Sequence, residues 1–182
     1  MRMTEKNLVL IGFMGTGKSS VGKALAKKTG RTLVDVDQRI EEREKRRIAD
    51  IFEKDGEVVF RRMEKDAIRE AVKETGLIIT TGGGAVLDAE NLSALKENGF
   101  LVTLEASPET IFQRVKDSRH RPLLQSKDVM GEIRRLLEAR RPYYEKADLK
   151  FVTDGKSASQ VADEIAAKLY GGDEFEFGKD WF

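Results

Sequence analysis

Cysteine is absent from this chain, and histidine occurs once, as His120. The first absence removes disulfides, thiolate nucleophiles and Cys-based zinc sites together, and it agrees with a reducing cytoplasm. One histidine cannot build a multi-histidine metal centre, and His120 stands in an arginine-rich stretch poorly suited to holding a catalytic base. Neither sign of charge dominates. The 33 Lys+Arg face 32 Asp+Glu for a net charge of +1, so binding to nucleic acid through a basic surface is not expected. Long apolar runs are missing too, and none approaches the ~20 residues that a membrane span needs. The run Asn7–Ile11 follows Arg2 and Lys6 but breaks at once into glycines, with no small-residue cleavage site. It reads as a buried strand and not as a signal peptide, and a cytoplasmic location is expected.

What is present is an alternation. With 182 residues, the chain suits one domain with its own core. Short apolar runs at Leu8–Ile11, Thr32–Asp35, Leu77–Thr81, Phe100–Leu104 and Leu149–Val152 read as strands. Their apolar residues are contiguous, as in strands covered on both faces of a parallel sheet. Amphipathic stretches separate them: Lys18–Lys28, stopped by Thr29-Gly30; Glu57–Lys73, stopped by Thr75-Gly76; a helix opened by Ser107-Pro108; and Ser157–Leu169, stopped by Gly171-Gly172. The order β-α-β-α-β-α-β-α-β predicts a doubly wound α/β domain over residues 1–171. Two charged interruptions, Asp37–Asp55 and Arg114–Lys127, are expected to move over a ligand. An acidic, aromatic tail, residues 172–182, follows the last element.

The strongest motif is Gly12-Phe13-Met14-Gly15-Thr16-Gly17-Lys18-Ser19, a full G-x-x-x-x-G-K-[ST] between a strand and a helix. Glycines let backbone N–H groups converge on an anion, and the helix N-terminus adds its positive end. Lys18 supplies a cation for the transferred phosphate, and Ser19 a hydroxyl for Mg²⁺. A regulatory GTPase would add an N/T-K-x-D base-reading motif, which is absent.

Other candidates gather at the predicted carboxyl edge of the sheet. Asp35-Val36-Asp37 ends the second strand, and residues two apart on a strand point the same way. One carboxylate could then serve Mg²⁺ and the other orient an acceptor hydroxyl, or Asp37 could simply cap a helix while Asp35 is solvated. Gly82-Gly83-Gly84 after the third strand suits a ligand close to the backbone, or a flexible turn. Arg119, His120 and Arg121 lie on a basic loop, where Arg119 and His120 read as solvated. Arg140-Arg141 ends a helix, where the dipole alone would favour them.

Together, the P-loop, D-x-D, Gly56–Glu64 as G-E-x-x-F-R-x-x-E, Gly82–Gly84, Arg121–Leu124 as R-P-L-L and Arg140–Tyr144 as R-x-P-x-Y resemble the shikimate kinases over roughly residues 7–169. The resemblance implies transfer of the ATP γ-phosphate to the 3-hydroxyl of shikimate, in aromatic amino acid biosynthesis. It implies a three-layer α-β-α P-loop kinase fold with a central five-stranded parallel sheet, a lid near residues 114–127 and an acceptor-binding helical insertion at 37–63. Its site residues fall here on Gly15, Thr16, Gly17, Lys18, Ser19, Ser20, Arg114 and Arg121 for ATP. Ser19 and Asp35 fall to Mg²⁺, and Asp37, Arg61, Gly82, Gly83, Gly84 and Arg140 to shikimate. Lys18, Asp37 and Arg121 carry the catalytic roles, and Arg114 lies against adenine. Arg61 and Arg140 would grip the carboxylate, a task suited to guanidinium forks. A monomer with no nucleic-acid or membrane partner is expected. Val36 stands where the family often has Thr, and Arg43–Arg47 is a charged run where it often has Gly and Ser. The tail has no counterpart in the pattern, and its four aromatics are read as docking on this chain or a neighbour. Two other readings stay open. One is a kinase for another small hydroxy acid such as gluconate. The other is a nucleotide-binding regulator, whose expected mark would be a lost Lys18, Asp37 or acceptor arginine.

Overall fold

A computed structural model describes residues 6–116 and 128–171. Most of the expected lid, with Arg121, and the tail 172–182 lie outside the described residues. The strands among the described residues are β1 (Asn7–Ile11), β2 (Leu33–Asp35), β3 (Ile78–Thr80), β4 (Gly99–Glu105) and β5 (Leu149–Val152). All pair in parallel, in the order β2-β3-β1-β4-β5. The helices among the described residues are α1 (Lys18–Thr29), α2 (Val36–Glu44), α3 (Ile48–Ala71), α4 (Ala89–Glu97), α5 (Pro108–Val115), α6 (Val129–Tyr144) and α7 (Ala158–Tyr170). β1 lies at the centre, and the chain leaves it first towards β2 and later crosses it to reach β4. The strand ends beside it therefore diverge, and a crevice opens at their carboxyl edge.

The contiguous apolar runs divide between two cores because successive strand side chains alternate. Leu8 and Leu10 of β1 join α1 and α7 on one face, with Leu25, Ile165 and Tyr170. Val9 and Ile11 join the other face, with Phe60 and Ile68 of α3, Leu95 of α4, and Ile133 and Tyr144 of α6. The helix signals act as expected: Ser107 caps α5 through Thr110 N with Pro108 behind it, and Ser157 forms a capping box with Gln160.

The long helix read from Glu57 does begin there, at a break that the continuous span of α3 conceals. α3 starts at Ile48 and runs through a break at Gly56 (φ 83°, ψ 169°), so two helices abut there. Within the run Arg43–Arg47, Lys45 ends α2 in the left-handed region (φ 55°). That conformation costs a side chain about 1–2 kcal/mol and suits glycine. Arg47 precedes α3 with no side-chain cap. The Glu41 carboxylate replaces one by accepting from Ile48 N at 2.9 Å. The turn forms without Gly and Ser because α2 itself reaches across to cap the next helix.

At the opposite, amino edge of the sheet, Arg31 fastens four segments. Its guanidinium donates to Lys6 O before β1, to Gly76 O (2.7 Å) and Leu77 O (3.1 Å) before β3, and to the Tyr170 hydroxyl (2.5 Å) at the end of α7. Each bond from a charged donor contributes ~1.5–3 kcal/mol, and stranded carbonyls add a desolvation cost. Arg31→Ala is expected to lower unfolding free energy by about 3 kcal/mol in urea titration while leaving nucleotide affinity unchanged. A loss below about 1 kcal/mol would show that water replaces the guanidinium.

Candidate active site

β1 delivers the phosphate loop to the crevice. Gly12 adopts φ 137°, and a Cβ there would sit 2.4 Å from Leu104 O, so only glycine fits. Gly15 and Gly17 also have positive φ, and Gly17 is the N-cap of α1. Lys18 folds back over the loop, and its Nζ donates to Gly12 O and Phe13 O at 2.9 Å each. Thr16 is buried, and its hydroxyl donates to Phe13 O at 2.8 Å, bracing the loop from inside. Ser19 and Ser20 are exposed in the first turn of α1. Arg114 donates to Gly15 O (3.1 Å), to Thr153 Oγ1 (2.9 Å) and to Thr153 O (2.8 Å), tying the phosphate loop to the turn after β5.

The two aspartates come together by a route different from the one expected. They do not project from one strand. β2 ends at Asp35, and the chain turns directly into α2. Asp35 is the N-cap, its Oδ1 accepting from Gln38 N at 3.2 Å, whereas Asp37 lies within the first helical turn. The capping role considered for Asp37 therefore belongs to Asp35, and Asp35 is not merely solvated. Its Oδ2 accepts from Ser19 Oγ and Thr80 Oγ1, both at 2.8 Å. Parallel pairing of β2 with β3 sets Asp35 opposite Thr80 and makes the second bond possible.

Asp37 faces the start of the glycine segment. A Cβ on Gly82 would lie 3.0 Å from both Asp37 Oδ1 and Glu64 Oε1. Those two oxygens are buried and have no hydrogen-bond partner. Burial, then the charge of Asp35, pushes the Asp37 carboxyl up to about 6, against the pull of Lys18 and Arg61. Burial likewise pushes Glu64 up to about 7, although Arg61 opposes it. The two orphaned oxygens face one glycine, and a hydrogen-bond donor placed there would satisfy both.

Arg61 projects from α3, one turn before Glu64. It donates to Glu64 Oε2 at 2.8 Å and to Glu57 Oε1 at 3.1–3.2 Å, over the face of Phe60. A Cβ on Gly84 would strike its Nη2 at 2.7 Å, so the guanidinium lies flat on the glycine backbone. Arg140 arrives from α6 and stacks over the ring of Phe13 at 5.4 Å, which gives it a contact beyond the helix dipole. One turn on, Tyr144 donates to Gly83 O at 2.7 Å.

Lys18, Ser19, Asp35, Asp37, Arg61, Gly82–Gly84 and Arg140 thus meet around one crevice, and Arg114 touches its phosphate loop. Sequence reasoning passed over Glu64, Thr80, Phe13 and Tyr144 as site residues. Glu64 and Tyr144 stood three and four places after named arginines, on the same helix faces, and that spacing was the available signal. Nothing local pointed to Thr80, whose place follows from strand pairing.

The residues present suit the two groups the motifs imply. The left-handed glycines and buried Lys18 suit a polyphosphate. Ser19 and Asp35 offer hydroxyl and carboxylate oxygens already side by side, a hard-cation donor pair. Among the described residues no group of three or more histidine, aspartate or glutamate side chains could hold a metal ion. No described helix is long and apolar enough to cross a membrane.

Known proteins resemble this chain in sequence and in fold. A sequence model of the family described as shikimate kinase matches residues 14–170. A shikimate kinase from Persephonella marina is 44% identical over 164 residues, covering 90% of this chain and 99% of the relative. The structure of a shikimate kinase from Acinetobacter baumannii in complex with shikimate superposes with a TM-score of 0.89 at 36% identity, covering 95% of this chain and 97% of that one. A gluconokinase from Sinorhizobium meliloti covers 93% of each chain, but its TM-score of 0.57 at 17% identity makes it a likeness of fold alone. With the family match running from Met14 in the phosphate loop through the helices that carry Asp37, Arg61 and Arg140, this chain belongs to the shikimate kinase family.

Proposed function

We propose that this chain transfers the γ-phosphoryl group of ATP to the 3-hydroxyl of shikimate, releasing ADP. The observation that carries the reading is the unpartnered, buried Asp37 oxygen at the glycine segment, with Arg61 on that same segment and Lys18 on the adjoining phosphate loop. A hydroxy acid is what such a site would take: its hydroxyl at Asp37, its carboxylate between guanidinium groups.

In the reaction, the acceptor oxygen forms a bond to the γ-phosphorus as the bond to the β-bridging oxygen breaks, and the hydroxyl proton passes to Asp37. Little covalent chemistry falls to the protein, so positioning and charge dominate. Lys18 exchanges its two loop carbonyls for phosphate oxygens. Ser19 and Asp35 would hold Mg²⁺, which neutralises charge on the phosphates. Arg61 and Arg140 orient the acceptor, and Gly82–Gly84 admit it close to the backbone. Arg121 would add positive charge at the transferring phosphate, and Arg114 would flank the base. The reaction is proposed to take place in the cytoplasm.

A coupled ADP-release assay with Mg-ATP tests it, comparing shikimate, gluconate and no acceptor. Turnover is expected with shikimate alone. Nucleotide binding without turnover on any acceptor would move the assignment to a regulatory homologue. Arg61→Lys keeps the charge but loses the fork, and KM for shikimate is expected to rise about tenfold or more. An unchanged KM would remove Arg61 from acceptor binding.

A further inference from the structure

A run of three glycines has no side chains to hold it, so its peptide planes must be oriented from outside. All three carbonyls are engaged. Gly82 O accepts from Ala85 N at 3.2 Å and Gly84 O from Leu87 N at 3.0 Å, inside the short 3-10 turn Ala85–Leu87 that follows. Gly83 O instead accepts from the Tyr144 hydroxyl at 2.7 Å, a bond between residues 61 apart in sequence. The carbonyl of Gly83 and the N–H of Gly84 belong to one planar trans peptide and point in opposite directions. Whatever holds the first also aims the second, and Gly84 is where the Arg61 guanidinium lies.

Tyr144 is well placed to impose that orientation. It is 5% exposed, and its own carbonyl accepts from Thr103 Oγ1 at 2.8 Å, so its backbone is anchored to β4. Burial pushes its phenol upward, which keeps it a donor. Gly83 in turn rests on the phosphate loop, since a Cβ there would lie 3.2 Å from Met14 N and 3.4 Å from Gly12 O. A peptide flip at Gly83 would therefore disturb the acceptor side without any side chain to resist it, apart from this one hydroxyl.

We propose that Tyr144 is a positioning residue for the acceptor: by holding Gly83 O, its hydroxyl orients the Gly83–Gly84 peptide and presents the Gly84 N–H beside Arg61 to the acceptor's anionic end. The proposal rests on the acceptor reading above, and its test separates the two. Tyr144→Phe keeps the ring and removes the hydroxyl, which is both the donor to Gly83 O and a hydrogen-bond partner of Arg140, so the Gly84 amide, and not KM alone, decides the proposal. In ¹⁵N-glycine-labelled protein, the Gly84 amide resonance is expected to shift or broaden in the variant, while those of Gly30 and Gly76, remote from the site, stay in place. In steady state KM for shikimate is expected to rise about tenfold, one hydrogen bond's worth, with KM for ATP changing less than about twofold. An unmoved Gly84 resonance, or a shikimate KM within about twofold of the parent, overturns the proposal. A parallel rise in both KM values with a lowered melting temperature also overturns it, since that marks general loosening. Parent protein that turns over ATP with no shikimate dependence sinks the acceptor reading instead, and the glycine spectrum still decides whether Tyr144 orients the peptide.

Discussion

Asp37→Asn is expected to lower turnover by about 10²–10⁴-fold, the range for losing a positioned proton acceptor, with nucleotide affinity near that of the parent. The amide keeps the shape of the carboxylate and can still contact a hydroxyl, but it cannot take the proton. The same substitution should raise the stability of the ligand-free protein. Asp37 is pushed from 3.8 up to about 6, chiefly by burial. Below pH ~4 the group is neutral in both folded and unfolded chains. Between about 4 and about 6 the unfolded chain loses its proton first, so stability declines as pH rises. By pH 7 the buried anion costs roughly 2–3 kcal/mol, and the amide removes that cost. Denaturant titrations should therefore show the variant more stable at neutral pH and equal to the parent near pH 4. The parent's kcat/KM for the acceptor should fall as pH drops below about 6, a limb the variant lacks. Near-parent turnover in Asp37→Asn would remove the residue from the catalytic role. Reduced turnover with no gain in stability would mean the carboxylate has partners in the resting protein.

Lys18→Ala is expected to cost about 10²–10³ in kcat, the scale for removing one preorganised group aimed at developing charge. Its ammonium now rests on Gly12 O and Phe13 O, two acceptors of the same loop. The cation is thus stored at the phosphate site in a nearly buried setting, where its interaction with a polyphosphate is weakly screened. The backbone N–H groups of the loop remain in the variant, so ADP affinity should fall much less than kcat. Lys18 also holds the Asp37 carboxyl down. Removing it should move the acid limb of the residual activity to higher pH. Turnover within about tenfold of the parent, or a limb that stays in place, would show that Lys18 acts only in holding the loop.

The helical caps and the phosphate loop were legible because each depends on neighbours in sequence. Ser107-Pro108, Ser157 with Gln160 and Thr29-Gly30 specify helix ends through bonds that span three or four residues. The acceptor insertion was less legible. α2 begins one residue earlier than its charge pattern suggested, because Asp35 caps it, and a second helix, residues 48–55, abuts the long one at the Gly56 break. The charged turn at Lys45 forms through Glu41 capping Ile48, a contact visible only once two helices are set side by side.

By itself the sequence determined which chemistry was available: a polyphosphate cradle with Lys18 and Ser19, carboxylates after the second strand, and arginines on two helices. Those are properties of contiguous residues, whose geometry the backbone dictates locally. Only the tertiary structure decided who meets whom. The strand order β2-β3-β1-β4-β5 puts Thr80 against Asp35, Gly83 on the phosphate loop and Tyr144 under Gly83. Arg114 reaches Gly15 across 99 residues for the same reason. Such contacts depend on which strands lie next to each other, and that choice comes from burying two faces of one sheet at once, a sum over the whole chain that no short stretch contains.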